Sequence, residues 1–303
     1  MNKIRKIISG FSENIINMSE GFIAKLQKQA STNLSSFIED LKKEIYKQSQ
    51  IYWDDTVIMI NTKRSCLRFC GNEKLALYIA YEHKDEEGIK EDGILNTLDK
   101  NVTVMHDHNK INYKYNYQNI ECNVHLIRDL EKCCINTNHT WCKKFKELVQ
   151  RNIHDKKSYI EKGYDSFDET YLNNFNQEYD EILLEGLEEI RTKPKGHYSQ
   201  TENALILRIL EYKDNYFIWM YDFSLPIDDN LSERALRTAK SKMKVSGQFQ
   251  NINYARYYAD IKTYIETCYR NGINPTSALI DLMNDKPLKL SEILANKKDE
   301  KTN

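Results

Sequence analysis

Three features of the sequence predict an α/β protein with a helical insertion. The hydrophobic period changes near residue 50, short Ile- and Val-rich segments follow, and a long charged helical block begins near residue 141. Scarce chain breakers agree, with 10 Gly and 4 Pro in 303 residues. That length suits one large domain or two smaller ones. Hydrophobic residues make up 40% and charged residues 29%, as in soluble globular proteins. Net charge is -1, so a nucleic-acid partner would have to be met by local charge asymmetry. No run approaches the ~18 apolar residues of a membrane span, and the start lacks the apolar core of a signal peptide. A cytoplasmic protein without a membrane partner is expected. Seven Cys without a CxxC pair point to reduced thiols. Cys122 and His125 have a ligand spacing, but no second half of a zinc site follows.

The elements are taken in order. The first fifty residues read as helix, with Leu34, Phe37, Ile38, Leu41 and Ile45 on one apolar stripe. Ile51 to Ile60, Ser65 to Cys70 and Lys74 to Tyr81 read as strands separated by short polar breaks, an antiparallel meander. A charged segment leads into a short helix ending near Leu98. Asn101 to His106 is a fourth strand, and the segment around Ile120 to Asn123 suggests a short fifth. A helix follows from Val124 to about Cys134. Trp141 to Ile190 is helical, Thr192 to Gly196 is a loop, and another helix covers Glu202 to Met220. After a break at Pro226 to Asn230 come a basic helix (Leu231 to Lys244), an interruption at Gly247 and a helix from Tyr254 to Arg270. Asn271-Gly272 stops it, and a last helix covers Thr276 to Asn284. The tail after Lys297 is expected to fray.

Three carboxylates have unusual settings. Asp54 lies inside a half-buried strand, where an uncompensated charge costs free energy. Asp107 follows the fourth strand, and Glu233 opens the basic helix. Were the first and fourth strands neighbours, Asp54 and Asp107 would aim at one spot, and the helix crossing the sheet would deliver Glu233. Three converging carboxylates repel unless divalent cations neutralise them, and two such ions can clamp a phosphodiester. Each residue also has a plain reading. Asp54 could be solvated or hydrogen-bonded at a strand edge, Asp107 could be turn chemistry between His106 and His108, and Glu233 could form a capping box with Asn230.

Six segments, in order, carry a resemblance. Trp53-Asp-Asp-Thr56 resembles a DET strand, with Asp55 in place of Glu. Val104-Met-His-Asp-His108 resembles V-x-HD-x, and Cys122-Asn-Val-His-Leu-Ile-Arg-Asp-Leu130 resembles CNAHLLREL. Ile227-Asp-Asp-Asn-Leu-Ser-Glu-Arg-Ala-Leu-Arg237 resembles DNNxxERxxR. Lys244-Val-Ser-Gly-Gln-Phe249 resembles K-x-SGGF, with Gln248 for a usual Gly. Gly272-Ile-Asn-Pro275 resembles NGI-x-P. Together they resemble the insertion sequence 66 family of DDE transposases, from about residue 40 to 285. The resemblance implies an RNase H-like mixed sheet with a helical insertion and C-terminal helices. It also implies Asp54, Asp107 and Glu233 as catalytic and metal-binding residues, holding two Mg²⁺ or Mn²⁺ ions. DNA strand cleavage and strand transfer of an insertion sequence would follow. Full-length relatives carry N-terminal DNA-end-binding and zinc-binding segments. The expectation is therefore an N-terminally truncated copy, and the alternative is an impaired remnant that binds DNA or regulates an intact transposase.

No acidic residue lies between Glu233 and Asp260, while Arg234, Arg237, Lys240, Lys242, Lys244 and Arg256 do. Leu236, Ala239 and Met243 supply an apolar face, so the helix can pack on one side and meet DNA phosphates on the other. A solvated face is the alternative. His125 and Arg128 share a helical face and, with Asn230, are expected to support the site; His125 could equally be a hydrogen-bonded core residue. The Tyr-rich helix (Tyr254, Tyr257, Tyr258, Tyr264) is expected to be core. The domain reading is 1–50 an N-terminal helical segment, 51–135 the first part of the catalytic core and 136–222 a helical insertion. It continues with 223–290, the Glu233 helix plus C-terminal helices, and 291–303, a tail. Expected partners are transposon ends and target DNA, with a homo-oligomer or accessory transposition proteins.

Overall fold

The computed structural model describes residues 2–13, 15–83, 86–193 and 196–296. The chain forms two compact units. The first comprises the described parts of Met1–Val102, Tyr115–Tyr117 and Asn230–Asn303, and the second Thr103–Lys114 and Gln118–Asp229.

The first unit opens with helices α1 (Asn2–Phe11), α2 (Glu20–Asn33) and α3 (Ser35–Ile45). The expected stripe is real: Leu34, Phe37, Leu41 and Ile45 are buried, and Ile38 is partly so. Strands β1 (Gln50–Ile60), β2 (Lys63–Gly71) and β3 (Ala76–Tyr81) form the anticipated antiparallel meander. Asn61 and Thr62 turn the β1–β2 hairpin with φ of 46° and 66°, the backbone a two-residue primed turn needs. At the β2–β3 turn the Asn72 side chain accepts from the Lys74 and Leu75 amides. A Cβ at Gly71 would meet the Leu75 carbonyl oxygen at 2.1 Å, so only glycine fits there. Two short helices follow, α4 (Glu86–Asp92) and α5 (Ile94–Thr97), parted by Gly93 at φ 68°.

The second unit begins with β4 (Thr103–His106) and β5 (Gln118–Glu121), which pair in parallel. Five strands with both pairing directions, among helices, make this a mixed α/β protein, as expected. Helices α6 (Asn123–Thr137), α7 (Trp141–Glu161), α8 (Glu169–Thr192), α9 (Ser199–Glu211) and α10 (Lys213–Phe217) follow, with a 3₁₀ turn at Ile218–Met220. They enclose an aromatic-rich core that includes Trp141, Phe145, Tyr179, Phe217 and Trp219. The helical block expected from Trp141 to Ile190 is thus two helices. Gly163 reverses the chain at φ 87°, and Asp168 caps α8 by accepting from the Tyr171 amide at 2.9 Å. The expected helix to Met220 likewise breaks at Tyr212. Part of the loop expected at Thr192–Gly196 lies outside the described residues, as does the tail after residue 296.

The chain then returns to the first unit with α11 (Asn230–Ser246), α12 (Ile252–Arg270), α13 (Pro275–Met283) and α14 (Leu290–Ala295); α14 was not expected. Helix α11 packs on β1 and β2, and α12 packs on β3 and α2. Thr263 and Thr267 of α12 bond the β3 backbone directly, accepting from the Tyr78 and Ala76 amides. They occupy the strand edge that β2 does not. The Tyr-rich helix is core at Tyr264, which is fully buried and meets Phe37 edge-on at 5.2 Å.

Candidate active site

In the first unit Asp54 is half-buried near the middle of β1, and its carboxylate accepts from the Asp55 amide at 2.7 Å. Its level relative to Glu233 can be read from the sheet register. Asp54 pairs with Phe69, and Phe69 pairs with Tyr78. Directly paired residues point to the same face, and the Phe69 and Tyr78 rings lie 5.3 Å apart. The Tyr78 hydroxyl donates to the Ala235 carbonyl at 3.2 Å, two residues beyond Glu233. Burial raises the Tyr78 pKa, which keeps that donor protonated. One transverse row of the sheet therefore links Asp54 to the first turns of α11.

A second ruler agrees. The Met243 sulfur lies 3.5 Å from the Met59 amide. Past Gly247, Phe249 bonds Met59 of β1 and Asn61 of the turn after it, at 2.8 and 2.9 Å. From Met243 back to Glu233 the helix rises about 15 Å. From Met59 back to Asp54 the strand covers about 17 Å. The two carboxylates thus belong to the same level of the unit. Helix α11 begins at Asn230 rather than Leu231, so Asn230 and Glu233 both lie in its first turn. Ser232, Leu236 and Ala239 are buried against the sheet, while Arg234, Arg237, Lys240 and Lys244 are exposed. Lys242 is different. Its ammonium lies over the Phe249 ring at 4.1 Å and the Tyr258 ring at 5.4 Å, and burial lowers its pKa.

Asp107 belongs to the second unit, at the exit of β4, and is half-buried. Both neighbouring rings are anchored. His106 bonds the Asp107 carbonyl at 2.7 Å and the Asn119 side chain at 2.8 Å. His108 Nδ1 bonds Glu121 at 2.7 Å, and the Tyr113 hydroxyl donates to the same carboxylate oxygen at 2.5 Å. Glu121 is 1% exposed. Burial pushes its pKa upward, but the His108 bond, both histidines and Tyr113 outweigh that and hold it below the usual value. Sequence reasoning missed Glu121; two histidines around Asp107 were visible, but the buried acid that one of them needs sits thirteen residues away. His125 is partly buried and Arg128 exposed on α6.

The residues expected to bind metal are, taken singly, of the kind a hard cation takes. Asp54, Asp107 and Glu233 offer only oxygen, and both His106 nitrogens are already bonded. Among the described residues, no group of three or more His, Cys, Asp or Glu is gathered to hold a metal ion. That leaves the Cys122–His125 spacing without a third ligand. Cys122 instead accepts from the Asp229 amide at 3.3 Å, and burial pushes its thiol up to about 12. It is a protonated structural thiol, and none of the seven cysteines forms a disulfide among the described residues.

Residues 4–257 match the family model described as Transposase IS66 family. The chain belongs to this family. The match takes in β1, Asp107, α6 and all of α11, so Asp54, Asp107, His125, Arg128 and Glu233 lie within the matched residues. Membership supports a transposase role, with DNA as the substrate class. A search of curated proteins found no match. Among the described residues, no helix is long and apolar enough to cross a membrane.

Proposed function

We propose that this IS66-family protein is a DDE-type polynucleotidyl transferase, with an RNase H-like core, that cuts DNA at element ends and joins them to a target. The observation that carries the reading is the row Asp54–Phe69–Tyr78, tied through the Tyr78 hydroxyl to α11 two residues past Glu233. Asp54 and Glu233 come from distant parts of the chain, and this tie supports their serving one site. In this reading Asp107 completes the set, and Asp54, Asp107 and Glu233 together hold two Mg²⁺ or Mn²⁺ ions. Those ions, when bound, would activate the attacking oxygen and stabilise the leaving one. Arg234, Arg237, Lys240 and Lys244 would hold DNA phosphates beside the site, and the His106 and His108 bonds would fix the backbone at Asp107. His125, Arg128 and Asn230 would support the site.

The test is strand nicking and joining of DNA carrying the cognate ends, with Mg²⁺ or Mn²⁺ present. Asp54→Asn, Asp107→Asn and Glu233→Gln should each reduce cleavage by at least about a hundredfold while leaving the protein folded by circular dichroism. Cleavage that survives these replacements would reject the assignment. Salt-sensitive DNA binding with no cleavage by the unaltered chain would favour the impaired-remnant alternative instead.

A further inference from the structure

The second unit contains a cavity of about 620 Å³ that the reading above does not use. It lies along α6 and α9, and its wall includes His108, the residue after Asp107. We propose that it receives one unpaired nucleotide of the DNA strand, a substrate contact that rests on the transferase reading and extends it.

The size lies within the range of small-ligand sites, about 300–1,000 Å³. The wall combines aliphatic surface from Leu205 with the rings of Tyr198 and Tyr212. Any base can stack on such rings, since every base has a π-face. Lys110 lies at the same wall and suits a phosphate. Among the described residues Lys110 forms no ion pair, and it is exposed. Of the three acidic groups of the wall, Glu211 is exposed, while Asp129 and Glu202 are committed to the protein. Asp129 bonds Arg208 at 2.9 Å and Lys132 at 3.4 Å. Glu202, 3% exposed, bonds His139 at 2.6 Å and the Trp141 indole at 2.8 Å.

His108 gives the cavity a fixed edge. Its Nδ1 is bound to Glu121, and its ring meets Tyr212 at 5.0 Å. The second ring nitrogen is the one left for a ligand. Tyr212 in turn packs on Tyr113 at 4.5 Å, so the wall beside Asp107 is built on packed rings. A nucleotide seated here would lie next to the backbone that carries Asp107. Its strand would then be unpaired close to the point of cleavage.

The test uses the full chain in EDTA and two duplexes. One ends in a single unpaired 2-aminopurine nucleotide, and the other has an abasic site at that position. The expected result is about tenfold tighter binding of the base-bearing duplex, with quenched 2-aminopurine fluorescence. Ala204→Trp, which fills the cavity from an exposed position of α9, should abolish both effects and leave affinity for blunt duplex within about twofold. Equal affinity for the two duplexes, or a preference unchanged by Ala204→Trp, would overturn the proposal. The two readings fail separately. Asp54-dependent cleavage without base preference sinks only the cavity assignment, while base preference without Asp54-dependent cleavage sinks only the transferase reading.

Discussion

Lys242 carries the same formal charge as its neighbours on α11 but stands in different surroundings. Its ammonium sits over two aromatic rings, whereas Arg237, Lys240 and Lys244 face solvent. Replacing Lys242 by Ala should therefore cost about 1 kcal/mol of stability, through lost stem packing and cation–π attraction. It should change the salt dependence of DNA binding less than Arg237→Ala does. Denaturant melts and salt titrations of the two variants make the comparison. The basic strip was legible as a local run of charge, but this exception was not. It depends on Phe249 and Tyr258 approaching after the Gly247 turn, which charge spacing along one helix does not encode.

At the scale of elements, α7 and α8 are locked by a borrowed cap. Thr140 gives α7 no side-chain cap of its own. Glu189 of α8 accepts from the Thr140 amide at 2.9 Å, the Trp141 amide at 3.1 Å and the Thr140 hydroxyl at 2.7 Å. Burial works against this charge, yet those bonds and Lys193 hold the Glu189 pKa at about 2, below its ordinary 4.5. A depressed carboxylate contributes stability in full above the unfolded value and loses it as pH falls through the folded one. Glu189→Gln should cost on the order of 1–2 kcal/mol near neutral pH. The gap to the unaltered protein should narrow as pH drops from about 4.5 toward 2, read from urea melts across that range. The strands and most helices were legible because period and turn residues agree locally, as at Asn61-Thr62. The break between α7 and α8 was also written in Gly163 and the Asp168 cap, but a strong helical period on both sides hid it. The short α14 carried too little periodicity to be seen.

For the whole molecule, the grouping of Asp54 with Glu233 is what the resemblance implies, and the bond from Tyr78 to Ala235 is the contact that supports the proposal. Glu121 and the cavity wall were not legible, since they arise from contacts between residues without any shared motif. DNA binding should depend steeply on salt despite the near-zero net charge. Replacing Arg234, Arg237, Lys240 and Lys244 together by Ala should reduce the slope of log affinity against log salt by up to about four. An unchanged slope would remove α11 from the DNA interface. A different consequence follows from how α12 serves β3. The threonines that occupy the open side of this strand arrive up to 191 residues later in the chain. During synthesis the meander must wait, its outer backbone groups wetted only by solvent, until the ribosome has delivered Thr263 and Thr267. A premature stop ahead of Ile252 would release a polypeptide with a permanently naked β-margin, prone to self-association.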